Sequence, residues 1–306
     1  MTRSVAVAPS TRPEMFDVLC KSVQDAGANL STVEDAEGLI WADPSKANLF
    51  PEISESAPNL KWIQLPYAGI EPFVPYLDDK WTWTCGKGIY AREVAETALS
   101  LSLGGFKNLH GYSRATSWGE PIGRVLGDSR VCILGAGGIT QCLLPLLNPF
   151  GSDITVVRRR SESLEGANRT ITTSRLFEIL PRTDLLILAL SLTKETYGII
   201  NKEVLSALPN HAWIVNVARG GHIVTDDLVE SLQQGTIGGA ALDVTDPEPL
   251  PDDHPLWREP NCLITPHIGN TPEMGLRVLG PFISENVKRF CNNEELLGLV
   301  DINQGY

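Results

Sequence analysis

Residues 131–140, VCILGAGGIT, constrain the fold of this chain more than any other stretch. Four consecutive apolar residues read as a buried strand. Two glycines within three positions make a tight turn, and the residues beyond it open a helix. A strand passing into a helix through such a turn belongs to a parallel α/β unit, because only a crossover connection brings the chain back to start the next parallel strand. Apolar runs then recur with helical stretches between them: SRVCIL, DITVV, DLLILAL, AWIVNV, GGAALDV and CLITP. Near-continuous apolar strands of this kind suit a parallel sheet covered on both faces.

The same alternation is present upstream. Residues 4–8, 38–41 and 60–65 read as strands, with a helix over about 13–26. A long helical stretch spans about 91–110, its end weakened by Gly104 and Gly105. After Val224, Thr225 is expected to cap a helix, Asp226 and Asp227 suit its positive end, and Gly235 stops it. A last helix over about 272–290 is expected to return to the first domain. The 306 residues suffice for two domains. The expected boundaries are 1–98 with 273–306 for one domain and 99–272 for the other.

Composition excludes several classes of partner. The formal net charge of −12 opposes nucleic acid and anionic membrane. Six cysteines at 20, 85, 132, 142, 262 and 291 form no CxxC pair. They read as small buried hydrophobes of a reducing compartment, with no metal site, and the cytoplasm is the expected location. No apolar run is long enough to span a membrane. The apolar part of MTRSVAVAPS is too short for a signal peptide.

The glycine turn carries the first chemistry. Gly135 and Gly137 fit the first two glycines of GxGxxG: one for the turn, one for close approach of a pyrophosphate to the helix N-terminus. The third position is Thr140, expected to loosen the packing slightly. Where an NAD-specific site places an acid on the ribose, at the end of the next strand, stand Arg158, Arg159 and Arg160. A guanidinium pairs with a 2′-phosphate, so NADP(H) is the expected preference, with NAD(H) possible.

Three further segments place charged groups just after strands, where ligands bind in open α/β sheets. They are NVARGGHIV with Arg219, LDVTDPEPLPDDHPLW with Asp243 and Glu248, and ITPHIGNTP with His267. Hydride addition to a carbonyl builds negative charge on oxygen, which a guanidinium and a protonated imidazole both stabilise. A carboxylate beside the histidine raises its pKa.

In this order these motifs resemble the D-isomer-specific 2-hydroxyacid dehydrogenases, from about residue 65 to the end and most strongly over 131–272. The resemblance implies a Rossmann dinucleotide-binding domain and a flavodoxin-like substrate domain formed by the N-terminal part and the C-terminal helix. It implies that Arg219 binds the substrate carboxylate and polarises the 2-oxo group. His267 would donate the proton, Glu248 would orient His267, and Asp243 would contact the nicotinamide carboxamide. Gly138, Ile139, Val217, Ala218 and Gly269 would also line the cofactor. LPYAGIE resembles the family's carboxylate-binding segment, pointing to the amides of Ala68 and Gly69, with Tyr67 bordering the pocket. A homodimer, formed through the cofactor domain, is also implied.

Ser191, where the family often has proline, and Asn270, where a small residue is common, depart from the pattern. Trp81, Trp83 and Trp118 read best as core, and His254 as loop surface. Glyoxylate, hydroxypyruvate or a related short acid is the expected substrate. Two alternatives remain open: a nicotinamide-sensing binding protein, and a phosphoglycerate dehydrogenase-like enzyme lacking the regulatory domain. Glu248 argues against a formate dehydrogenase, which carries glutamine there.

Overall fold

The computed structural model describes residues 3–160 and 162–305. Two units divide it: 1–90 with 271–306, and 91–270. The expected crossing at 98/99 falls inside a helix, Ala91–Phe106. That helix belongs whole to the second unit, because Ala95, Ala98 and Leu101 pack with the strand residues Val131, Ile133 and Ile187 in one apolar cluster.

The first unit is a parallel sheet of β1 (Ser4–Ala8), β2 (Asn29–Leu30), β3 (Gly38–Trp41), β4 (Trp62–Gln64) and β5 (Thr82–Thr84) in the order β2-β1-β3-β4-β5. This is the flavodoxin-like order. The helix Pro13–Asp25 packs Leu19 and Val23 against Val5 and Val7. Leu279, Ile283 and Val287 of the C-terminal helix, Pro272–Asn292, join the same cluster. That helix therefore returns to the first unit, and its buried Asn286 donates to Gln64 Oε1 at 2.6 Å. Trp83 is buried and Trp81 half-buried in the cluster on the sheet's other face.

The second unit is a parallel sheet of β6 (Arg130–Leu134), β7 (Asp153–Arg158), β8 (Arg169–Thr172), β9 (Leu185–Leu188), β10 (Trp213–Asn216), β11 (Gly239–Leu242) and β12 (Cys262–Ile264). Its order is β12-β11-β10-β9-β6-β7-β8. The order reverses direction between β6 and β9, which makes the Rossmann crevice. The apolar runs are explained by burial on both faces. Along β9, Leu185 and Ile187 enter one cluster while Leu186 and Leu188 enter the other.

Several local expectations need correction. The helix ends at Phe106, and a left-handed Asn108 separates it from a short turn, Leu109–Tyr112. Gly104 and Gly105 lie inside the helix. A Cβ on Gly105 would come within 2.3 Å of the Trp213 ring, so glycine there permits helix and sheet to approach closely. Thr225 is the first residue of the helix Thr225–Gln234 and not its cap; its hydroxyl donates to Asp246 O instead, and Gly235 ends the helix in the left-handed region. Trp118 is fully exposed, not core. Cys85, Cys132 and Cys262 are buried, but Cys20, Cys142 and Cys291 only partly so; none is in a disulfide. His254 is half-buried and accepts from the Leu256 amide. Among the described residues, no helix is long and apolar enough to cross a membrane.

Candidate active site

The charged groups singled out in the sequence converge within the second unit, on loops that leave the C-terminal ends of β10, β11 and β12. Arg219 follows β10 in extended conformation. Asn216, almost fully buried at the end of that strand, accepts from the Ala218 amide and donates to Arg219 O at 2.8 Å. His222 Nδ1 lies 3.0 Å from the same carbonyl. The arginine backbone is thus held from two sides. At the next residue a Cβ would meet Thr245 O at 1.9 Å, so only glycine at 220 lets this turn lie against the loop after β11.

That loop carries Asp243 and Glu248. Asp243 is buried, and its carboxylate accepts from Thr265 Oγ1 at 2.6 Å and from the amides of Ile268 and Gly269 at 2.8 Å each. Its carbonyl accepts from the His267 amide at 2.9 Å. His267 has φ of 54°, a left-handed conformation that costs a β-carbon residue about 1–2 kcal/mol. The bonds to Asp243 offset that cost and fix where the imidazole stands.

His267 Nδ1 lies 2.6 Å from Glu248 Oε1, with the two side chains about half exposed. The hydrogen bond to Glu248 raises the histidine pKa above the ordinary imidazole value, against the opposing effects of partial burial and of Arg219. The same bond lowers the Glu248 carboxyl, aided by the charges of His267 and Arg219. With Nδ1 committed to the carboxylate, Nε2 is left to exchange a proton with a bound molecule.

The glycine turn stands at the reversal between β6 and β9. Gly135 has φ of 108°, its amide donates to Val157 O at 2.8 Å, and a Cβ there would meet Ala189 O at 2.1 Å. Gly137 precedes the helix Gly138–Leu147, which has no side-chain cap, and a Cβ on Gly137 would meet nothing within 4 Å. Uncapped amides under open space fit a pyrophosphate, so these residues can hold a dinucleotide. Thr140 does not loosen the turn: it is fully buried and its hydroxyl donates to Gly135 O at 2.9 Å. Arg158 ends β7, the strand beside β6, with Arg159 and Arg160 exposed after it. Glu162 lies 3.8 Å from Arg158. Val217 and Ala218, which lead from β10 to Arg219, are buried. Asn270 Oδ1 is buried without a hydrogen-bond partner among the described residues, next to the histidine loop.

Ala68 and Gly69 lie in the first unit, after β4. Their amides donate to no group among the described residues, while Tyr67 O accepts from the Gly86 amide and Tyr67 Oη from Arg12 Nη1 at 3.1 Å. Asn216, Gly220, His222 and Thr265 were not picked out as site residues by the sequence. Their signal is a polar residue or glycine where a buried strand ends.

Comparison with known proteins places the chain in a family. Residues 98–269 match the family model described as D-isomer specific 2-hydroxyacid dehydrogenase, NAD binding domain. An uncharacterised protein of Corynebacterium melassecola is 37% identical over 304 residues, covering 96% of this chain and 98% of its own. Glyoxylate/hydroxypyruvate reductase A of Klebsiella pneumoniae is 34% identical over 219 residues, 70% of this chain and 69% of its own. A D-isomer specific 2-hydroxyacid dehydrogenase from Xanthobacter autotrophicus, solved with NADPH and MES, superposes with a TM-score of 0.86 at 26% identity over 100% of both chains. The NADPH-dependent glyoxylate/hydroxypyruvate reductase of Sinorhizobium meliloti, solved with NADP and sulfate, gives 0.80 at 25% identity, again over 100% of both. This chain belongs to the D-isomer-specific 2-hydroxyacid dehydrogenases, oxidoreductases built on a nicotinamide-binding Rossmann domain.

Proposed function

We propose that this chain reduces a small 2-oxo acid, of the glyoxylate or hydroxypyruvate kind, to its D-2-hydroxy acid with NADPH preferred over NADH. The observation that carries the reading is the His267–Glu248 pair standing beside Arg219 at the strand ends. A nicotinamide held by the Rossmann domain would supply the hydride to C2 of the substrate, or accept it in reverse. Arg219 holds the substrate carboxylate and draws electron density toward the 2-oxo oxygen. His267, its charged form favoured by the hydrogen bond to Glu248, delivers a proton from Nε2 to that oxygen, and takes it back in the reverse direction. Asp243 keeps the histidine loop in place; the remaining lone pair of its carboxylate is available to the cofactor's carboxamide. Ala68 and Gly69 offer free amides to the carboxylate, while Gly135, Gly137, Gly138 and Ile139 seat the pyrophosphate. Val217, Ala218 and Gly269 line the cofactor.

Three arginines where an acid would select NAD, Arg158 half-buried and Arg159 and Arg160 exposed, support the NADPH preference, and so do the NADPH-bound relatives. The names of relatives support the substrate class. Leu109, Tyr112, Trp118, Ile122 and Val125 expose apolar surface along one segment of the second unit, which supports a homodimer through that unit. Six cysteines outside disulfides support a cytoplasmic location.

The test is turnover of glyoxylate, hydroxypyruvate, pyruvate, phenylpyruvate and 2-oxoisocaproate with each cofactor. The short acids are expected to react fastest, with kcat/KM about tenfold higher for NADPH, and replacing Arg158, Arg159 and Arg160 by serine should abolish that margin. Tight dinucleotide binding without turnover on any acid would instead favour a nicotinamide-sensing binding protein.

A further inference from the structure

The N-terminal ends of β6, β7 and β8 open on a cavity of about 100 Å³, whose lining includes Arg130, Asp153, Thr155, Arg169, Arg182 and Thr183. Because the strands are parallel, this is the end of the sheet away from Arg219, Asp243 and His267. Strand register sets Thr155 between Cys132 and Arg169. Thr155 is 4% exposed, and its hydroxyl bonds to none of the described residues.

Charge distinguishes this cavity from the rest of an acidic chain. Arg169 pairs with Asp153 at 2.7 Å and Arg130 with Asp184 at 3.0 Å. Each guanidinium keeps donors to spare, since it carries five N–H groups. Arg182 has no acidic partner among the described residues. Three cations against two carboxylates leave the cavity a positive charge, with a buried hydroxyl beside it. That combination suits a tetrahedral oxyanion, which accepts several charge-assisted bonds at once. The volume suits it too. A water needs about 10–15 Å³ of such space, so this cavity has room for a phosphate group but not for a nucleoside.

We propose that this cavity binds a phosphate group, free or at the end of a small metabolite, separately from the dinucleotide. The proposal does not depend on the catalytic reading, because it is tested by binding alone. Isothermal titration of the protein with inorganic phosphate, in excess NADP⁺ to keep phosphate out of the glycine turn, should show one saturable site. Arg182→Gln, at an exposed position that folding tolerates, and Thr155→Val should each weaken it about tenfold while leaving dinucleotide affinity unchanged. Glycerol phosphate separates the two sources: tighter binding than inorganic phosphate supports a metabolite's phosphoryl end, equal or weaker binding supports the free ion. The absence of saturable binding, or equal phosphate affinity in the wild type and both variants, would overturn the proposal.

Discussion

Two histidine–carboxylate contacts of nearly equal length stand at opposite ends of the same seven-stranded sheet. His267 lies 2.6 Å from Glu248 where strands finish, and His211 lies 2.7 Å from Asp184 where strands begin. Their surroundings make them different devices. Glu248 is about two-fifths exposed, and His267 is its main partner. Asp184 has a side chain 5% exposed and also receives Arg124, the Arg130 guanidinium and the Arg130 amide. Burial alone would raise its carboxyl, but the bonds from Arg130 and His211 outweigh burial and hold it well below the usual carboxylate range. A histidine–carboxylate contact therefore does not by itself mark a catalytic pair. What the carboxylate is otherwise committed to decides whether it tunes an acid or anchors a sheet.

Substitution of the two histidines should separate these roles most widely. His267→Ala is expected to lower kcat by about 10²–10⁴-fold, the usual share of a general acid, with the fold intact by circular dichroism. His211→Ala should leave kcat within about twofold, because it changes only the distant anchor. If both substitutions damage turnover alike, the distinction between the two ends is wrong.

The carboxylates come next. Asp184→Asn should cost about 2 kcal/mol in denaturant unfolding, a figure reduced because the two guanidinium groups can still reach water. Glu248→Gln should cost under about 1 kcal/mol, since both partners are half exposed. The pH signs differ as well. Asp184, with its lowered pKa, contributes stability above the ordinary carboxylate range and loses it only as pH falls through the depressed value. His267, with its raised pKa, contributes below the ordinary imidazole range and loses it as pH rises through the elevated value.

Much of this was legible from residue order. β1 and β3 have the expected bounds, and the strands of the Rossmann sheet announced themselves because burial on both faces demands unbroken apolar runs. The strands that escaped, β2, β5 and β8, all lie at sheet edges. With sequences NL, TWT and RTIT they need no such run. The charged candidate residues stood out in the sequence because charge directly after a buried strand is costly unless used. Asn216, His222 and Thr265 did not, because they act on one backbone carbonyl, that of Arg219, and on the Asp243 carboxylate, contacts that form only in the folded loops. Gly220 was hidden for a related reason: its role is to let two loops touch.

The central claim is that Glu248 keeps His267 charged so that it can act as the acid in reduction. The most direct test is the pH dependence of kcat/KM for 2-oxo acid reduction, wild type against Glu248→Gln. Wild-type activity should fall as pH rises through an imidazole pKa above its ordinary value, and the variant's falling limb should lie at lower pH. Coincident limbs in the two proteins would contradict the account.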